Sequence, residues 1–343
     1  MKTAVVICPG RGTYNSTELG YLSRHFPDAG LLDRFDKIRQ QNDQDAVSSL
    51  DRVERYSLSK HGRGDNASAL IYAATLGDFL SIGDQIDVVA VTGNSMGWYS
   101  ALACGGAVSA EDGFLIANTM GTMMQSAMIG GQIIHPWVDD DWVPRPEVRE
   151  TLMGMVDQIN GQGDAILTLS IDLGGMLVLA GNETGLSAFE AAVEPVGDRF
   201  PMRLANHAAF HSHLQTSVAN QGREALSPML FGPPKKPLID GRGEIWWPGS
   251  STREDLYEYT LGHQVTETYD FTHAVTVAAR EFAPDLFIVT GPGTTLGGAV
   301  AQSLIRANWN GMTDKADFKA RQAAEAFLIS MGMEDQRKLV ASL

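Results

Sequence analysis

The chain has 343 residues, of which 44% are hydrophobic and 20% charged, a composition that excludes disorder and collagen-like structure and suggests about two domains. A formal net charge of −15 opposes phosphate backbones, so we expect no nucleic-acid partner. No apolar stretch approaches the ~18 residues of a membrane span, and two cysteines cannot form a disulfide framework, so we expect a cytoplasmic protein without a membrane partner.

The first part of the chain predicts strands that end in glycine turns. A buried strand over 3–8 runs into the turn 9–12, and a second over 88–92 runs into 93–97. The intervening and following segments predict helices over 16–60, 67–80, 98–104 and 109–128. This alternation predicts an α/β core.

The segment between 130 and 205 has a different order of predicted strands and helices. It predicts strands over 131–135, 165–173, 176–180 and 199–204, with helices over 147–159 and 183–193. That order is the split βαβ pattern of a ferredoxin-like unit. A strand over 286–290 then resumes the larger pattern. We therefore predict a discontinuous core, 1–129 and 206–343, with an inserted small subdomain, 130–205.

One serine lies in a pattern typical of nucleophiles. Gly93-Asn94-Ser95-Met96-Gly97 fits G-x-S-x-G between a predicted strand and a predicted helix. This pattern places the serine on a strained elbow that exposes its hydroxyl. The alternative is a coincidental tight turn.

Three histidines crowd together and are candidates for the base that such a serine needs. They are His207, His211 and His213. The first two also have the H-x₃-H spacing of a metal pair on a helix. No cysteine pair or H-E-x-x-H motif accompanies them, so we predict no metal site.

Six short motifs follow one another between residues 3 and 305. They are Cys8 to Gly12, similar to F-P-G-Q-G; Gly93 to Leu102, similar to G-H-S-L-G-E-Y-S-A-L; Met123-Met124-Gln125 in the next helix; Ala209-Phe210-His211-Ser212, matching A-F-H-S; Gln264-Val265 with Tyr269 to Phe271, similar to Q-L…V-x-W; and Gly291-Pro292-Gly293 with Leu296, similar to G-P-G-x-x-L. In this order and spacing the chain resembles the malonyl-CoA:acyl carrier protein transacylases and the related acyltransferase domains of fatty acid and polyketide synthases.

The resemblance implies an α/β-hydrolase-like core with a ferredoxin-like insertion and a two-step acyl transfer. Ser95 would be the nucleophile and His211 its base, with a nominal pKa near 6.5. A backbone carbonyl near Gln264 would orient the imidazole, and the backbone amides of Arg11 and Met96 would form the oxyanion hole. The substrates would be an acyl-CoA and the phosphopantetheine thiol of an acyl carrier protein, with no tightly bound cofactor.

Three positions depart from the family's pattern. Asn94 replaces the histidine before the nucleophile, and Trp98 replaces a glutamate after the elbow; both line the pocket entrance in the family. Met120 stands where the family's R-G-x-x-M-Q has the arginine that pairs with the carboxylate of malonyl. The resemblance therefore predicts an acyl pocket with Met120, Trp98 and Phe210. A neutral acyl chain then competes with malonyl, unless Arg11 supplies the missing charge.

Two other classes of function share these features. A hydrolase of acyl thioesters would use the same serine and histidine but deliver the acyl group to water. A non-catalytic module would bind a carrier protein without turnover. The presence of both Ser95 and His211 argues against the module.

Overall fold

The computed structural model describes residues 1–342. The strands are β1 (Lys2–Cys8), β2 (Ile86–Gly93), β3 (Gly131–Pro136), β4 (Leu167–Leu173), β5 (Met176–Gly181), β6 (Met202–Arg203), β7 (Leu238–Ile239), β8 (Ile245–Trp246), β9 (Tyr269–Asp270), β10 (Leu286–Val289) and β11 (Leu328–Ser330). The helices are α1 (Tyr21–His25), α2 (Ala29–Gln40), α3 (Val47–Asp51), α4 (Leu58–His61), α5 (Gly64–Leu80), α6 (Gly97–Cys104), α7 (Ala110–Ala127), α8 (Pro146–Asn160), α9 (Glu183–Ala192), α10 (Thr216–Ala225), α11 (Arg253–Glu258), α12 (Gln264–Thr266), α13 (Phe271–Phe282), α14 (Leu296–Arg306), α15 (Lys315–Ala324) and α16 (Glu334–Arg337). Across these residues every helix falls short of the length and apolar character that crossing a bilayer requires.

The larger sheet has the strand order β11-β10-β1-β2-β7-β8. Its first five strands are parallel, and β8 closes one edge as an antiparallel strand. Residues 4–8 of β1 are all fully buried, because helices cover both faces of the sheet and a central parallel strand then contacts no water. The fold is mixed α/β, as the sequence predicts.

The carboxyl ends of β1 and β2 bring two loops together. Cys8 pairs with Gly93 in the parallel register, so the loops that follow both strands leave the same edge of the sheet. The Asn94 N–H donates to the Cys8 carbonyl oxygen at 2.9 Å. The loop 9–12 therefore lies against the turn that carries Ser95.

The second sheet is built mainly from residues 131–203. Its order is β6-β3-β5-β4-β9, which places the four strands of this segment in the order fourth, first, third, second. They are antiparallel, while β9 joins from much later in the chain and runs parallel to β4. A separate hydrophobic cluster, which includes Ile133, Leu179 and Phe189, lies between this sheet and the helices α8 and α9.

The fourth strand of this segment is shorter than the sequence predicts. The predicted strand covers 199–204, whereas only Met202–Arg203 pair with β3. Pro201 has no backbone N–H to donate to a ladder, so the pairing begins after it.

A buried ionic network holds the glycine turn after β10. The Asp78 carboxylate accepts hydrogen bonds from the Gly291 N–H at 2.6 Å and the Tyr21 hydroxyl at 2.7 Å, and it also contacts the Arg337 guanidinium. The Asp78 side chain is completely buried and that of Arg337 is 7% exposed. The network thus ties α5, the C-terminal part of the chain and the 291–293 turn together.

Replacing Arg337 with methionine should lower the free energy of unfolding by about 3–5 kcal/mol, because it leaves the buried Asp78 without its counter-charge. Urea denaturation followed by circular dichroism measures the change. The matched control is Arg34→Met, which breaks an exposed ion pair with Glu111 and should shift the midpoint little. Equal shifts in both variants would show that the network does not stabilise the fold.

Candidate active site

Ser95 lies in a strained turn between β2 and α6. Its φ of 57° is in the left-handed region, which is uncommon for a residue with a side chain. The turn requires glycine on both sides: a Cβ on Gly97 would lie 2.2 Å from the Cys8 carbonyl oxygen, and one on Gly93 2.3 Å from the Gly97 carbonyl carbon. Close backbone contacts therefore fix the G-x-S-x-G turn and hold the serine in place.

His211 is hydrogen-bonded to Ser95. The distance between Ser95 Oγ and His211 Nε2 is 2.7 Å, and His211 Nδ1 lies 2.7 Å from the Gln264 carbonyl oxygen. A carbonyl can only accept, so Nδ1 carries the proton and Nε2 is left as the acceptor that faces the serine hydroxyl. This is the tautomer that a general base needs.

Gln264 forms hydrogen bonds with both Ser95 and His211 from its position near the end of a helix. A π-helical turn, Tyr259–His263, joins α11 to α12, and α12 ends two residues after Gln264, so the Gln264 carbonyl has no helical partner and is free to accept from His211. Its side-chain Nε2 donates to the Ser95 carbonyl oxygen at 3.1 Å, and the Tyr99 hydroxyl donates to its Oε1 at 3.2 Å. The sequence motifs indicate only the backbone carbonyl. They do not reveal the side-chain contacts or Tyr99, because these contacts join residues more than 160 positions apart.

Burial keeps His211 neutral. It lowers the pKa of His211 to about 4; the hydrogen bond to the Gln264 carbonyl opposes this shift, and nearby His263 adds to it. The imidazole is therefore the free base at neutral pH. The nominal pKa of 6.5 expected from the sequence is corrected downward, because a motif does not show how deeply its histidine is buried.

Two backbone amides near Ser95 are free to donate. Within residues 1–342, the N–H groups of Arg11 and Met96 have no protein acceptor. The first lies in the loop after β1, and Met96 is the N-cap residue of α6, where amides lack intrahelical acceptors. Gly10 allows the two loops to approach, since a Cβ there would lie 2.5 Å from the Asn94 carbonyl oxygen. Both donors border the same cavity as Ser95.

The cavity beside Ser95 and His211 has polar and apolar walls. Its lining includes Arg11, Ser68, Gly121, Met124, Phe210 and Val265. Of the three residues predicted to form an acyl pocket, Phe210 is in this lining and the other two are not. Met120 is fully buried against α10, where a Cβ on Gly222 would lie 2.8 Å from its sulfur. Trp98 is also fully buried, and its Nε1 donates to Thr260 Oγ1 at 2.9 Å.

The remaining predicted residues lie around this centre. His207 Nδ1 bonds to Gln132 Oε1 at 2.8 Å, and burial lowers its pKa to about 3; His213 is exposed. Asn94 is 9% exposed, and its side-chain Oδ1 has no partner within residues 1–342. The same residues contain no group of three histidine, cysteine or acidic side chains placed to hold a metal ion.

A serine on a strand-to-helix elbow of an α/β protein, with a neutral buried histidine at its hydroxyl, is the arrangement that a serine nucleophile requires. No protein-family model matches the chain. The chain is 24% identical over 210 residues to the malonyl CoA-acyl carrier protein transacylase of Bacillus subtilis (strain 168), and 23% identical over 211 residues to the protein of that name from Escherichia coli O157:H7. Each alignment covers 61% of this chain, and 62% and 63% of those two proteins, so the match spans less than two thirds of their length.

Solved structures share the fold over a longer span. The malonyl-CoA:acyl carrier protein transacylase of Xanthomonas oryzae pv. oryzae superposes with a TM-score of 0.75 at 16% identity, covering 100% of this chain and 99% of that one. A malonyl-transacylase in complex with a type II polyketide synthase acyl-carrier protein gives 0.70 at 19% identity, covering 95% and 99%. The resemblance that the six motifs predict is thus confirmed.

Proposed function

We propose that this chain is an acyltransferase that moves an acyl group from CoA to the phosphopantetheine thiol of an acyl carrier protein through an acyl-Ser95 intermediate. The observation that carries the proposal is the hydrogen-bonded series from Ser95 Oγ to His211 to the Gln264 carbonyl, at 2.7 Å for each contact. The printed names of the relatives, which are malonyl transacylases acting with acyl carrier protein, support the choice of substrate and partner.

The first half-reaction acylates the serine. His211 Nε2 takes the proton of Ser95 Oγ as the oxygen attacks the thioester carbonyl carbon. The amides of Arg11 and Met96 would donate to the oxyanion of the tetrahedral intermediate. Collapse of the intermediate breaks the carbon–sulfur bond, and the imidazolium returns its proton to the departing CoA thiolate.

The second half-reaction reverses these steps with a different thiol. The phosphopantetheine thiol gives its proton to His211 and attacks the ester carbonyl. The carbon–oxygen bond then breaks, and Ser95 recovers its proton from the imidazolium. One thioester is exchanged for another, so the balance requires neither an oxidant nor a tightly bound cofactor.

Malonyl is the acyl group that we favour. The sequence argument for a neutral acyl chain is that methionine, and not arginine, stands at position 120. Because Met120 packs against α10 and is not in the lining of the Ser95 cavity, it gives a neutral chain no apolar wall there. The cavity instead contains a cationic side chain, Arg11.

Release of CoA with and without carrier protein distinguishes transfer from hydrolysis. We expect a burst of CoA as Ser95 is acylated, followed by continued release only when carrier protein bearing phosphopantetheine is present. The matched control is the same carrier protein without its prosthetic group. Steady release of CoA in the absence of carrier protein would favour the thioester hydrolase. Binding of carrier protein without any burst of CoA would favour the non-catalytic module.

The predicted domain division belongs to the same proposal. We assign 1–129 and 206–343 to an α/β-hydrolase-like core and 130–205 to a ferredoxin-like subdomain. The strand order of the smaller sheet and its separate hydrophobic cluster support this division. A reducing, cytoplasmic compartment fits the free thiols of Cys8 and Cys104.

A further inference from the structure

The side chain of Arg11 lies beside the nucleophile and is held firmly there. Its Nη2 donates to the carbonyl oxygens of Gly62 and Asn206, both at 2.9 Å. The guanidinium carbon also lies 5.4 Å from the centre of the Phe210 ring. These contacts come from two separate segments, one at Gly62 and one at 206–210, so the guanidinium has a fixed position in the cavity that contains Ser95.

The positive charge of Arg11 has no matching negative group. Its Nε and Nη1 atoms are buried without an acceptor in residues 1–342, and its only hydrogen-bond partners there are neutral carbonyls. Asp65, the acidic residue whose charge acts on Arg11, accepts a hydrogen bond from Arg63 at 3.1 Å instead. Burial lowers the pKa of Arg11 to about 10, with Asp65 opposing the shift, so the group is still charged at neutral pH. A buried, unpaired cation is costly unless an anion joins it.

The Nη1 atom of Arg11, which has no hydrogen-bond acceptor, lies close to α7, the helix that carries Met120. A Cβ placed on Gly64 would be 3.2 Å from Arg11 Nη1 and 2.7 Å from the carbonyl oxygen of Gly121 on α7. Ser68 borders the same cavity, and its Oγ makes no hydrogen bond within residues 1–342. A cationic donor and a hydroxyl donor therefore face one space next to the serine.

We propose that Arg11 is the specificity-determining residue that binds a free carboxylate on the acyl group, with Ser68 Oγ as a second donor. This inference rests on the proposed acyl transfer at Ser95. The carboxylate supplies the missing negative charge, and a neutral chain of the same length leaves the cation unpaired. The cation comes from the loop after β1 and not from position 120 on α7.

The test compares the rate of Ser95 acylation by malonyl-CoA and by butyryl-CoA, a neutral chain of similar length. We expect the wild type to prefer malonyl. Arg11→Gln should lower the malonyl-to-butyryl ratio of kcat/KM roughly 10- to 150-fold, the value of a charge-assisted hydrogen bond. Ser68→Ala should lower the same ratio by a smaller factor, and Arg11→Lys should keep part of the preference.

The matched control is Arg34→Gln, which removes an equal charge from an exposed arginine outside the cavity lining and should leave the malonyl-to-butyryl ratio unchanged. Glutamine is the residue of the similar F-P-G-Q-G motif, so the loop should tolerate Arg11→Gln. An unchanged ratio in Arg11→Gln, an equal loss with both substrates, or a wild type that prefers butyryl would overturn the inference. If neither CoA ester acylates wild-type Ser95, it is the proposed function that fails.

Discussion

Replacing Ser95 with alanine should abolish the covalent acyl adduct and lower kcat/KM for acyl transfer by at least about 10³-fold, because the reaction loses its nucleophile. Intact-protein mass spectrometry after incubation with malonyl-CoA measures the adduct directly. Alanine keeps the Cβ of serine and meets the same steric cost at the φ of 57°, so the variant tests the hydroxyl rather than the turn.

Ser100→Ala is the matched control for this prediction. Ser100 lies on α6, five residues after Ser95, and its fully buried Oγ has no hydrogen-bond partner within residues 1–342. Its removal should leave the adduct and the transfer rate unchanged. An adduct that persists in Ser95→Ala would place the nucleophile elsewhere.

The sequence predicts the parts of the fold that depend on local pattern. The strands β1 and β2 each contain a continuous apolar run, 4–8 and 88–91, and the turn at Ser95 has a glycine two residues away on either side. The strand over 199–204 is predicted too long, because the apolar residues around Pro201 suggest a strand that proline cannot complete. Hydrophobic periodicity locates a strand, whereas the backbone hydrogen bonds to the neighbouring strand determine how much of it pairs.

The proposed catalytic pair, Ser95 and His211, shows a second limit of prediction from the sequence. The G-x-S-x-G pattern alone singles out Ser95, but three histidines are equally suitable until the resemblance selects His211. In the structure, His207 is bonded to Gln132 and His213 is exposed, so only His211 reaches the serine. In the structure, the backbone that follows β6 makes this selection.

The walls of the cavity are the least predictable part of the site. The motifs predict that Met120, Trp98 and Phe210 line the acyl pocket, yet of these three only Phe210 is in the cavity lining. Neighbouring residues of a helix point about 100° apart, so Gly121 can face the cavity while Met120 packs on α10. The anchoring of Arg11 by carbonyls 51 and 195 residues away is likewise visible only in three dimensions.

Replacing His211 with alanine should lower the rate of Ser95 acylation by about 10²- to 10⁴-fold, because no other group accepts the serine proton. His213→Ala should leave the rate unchanged. His207→Ala should affect stability more than chemistry, since its ring bonds to Gln132 and not to Ser95. Equal losses in all three variants would indicate a structural cluster instead of a base.

The pH dependence of the wild type gives an independent test of the same residue. Only the neutral imidazole can take the serine proton, and burial lowers the pKa of His211 to about 4. The value of kcat/KM for acylation should therefore stay level below the usual histidine pKa of 6.5 and fall only as the pH drops through about 4. Circular dichroism at each pH separates this loss from acid unfolding. A midpoint near 6.5 with the protein still folded would mean that His211 titrates as a solvent-exposed histidine, in conflict with its buried position between Ser95 and the Gln264 carbonyl.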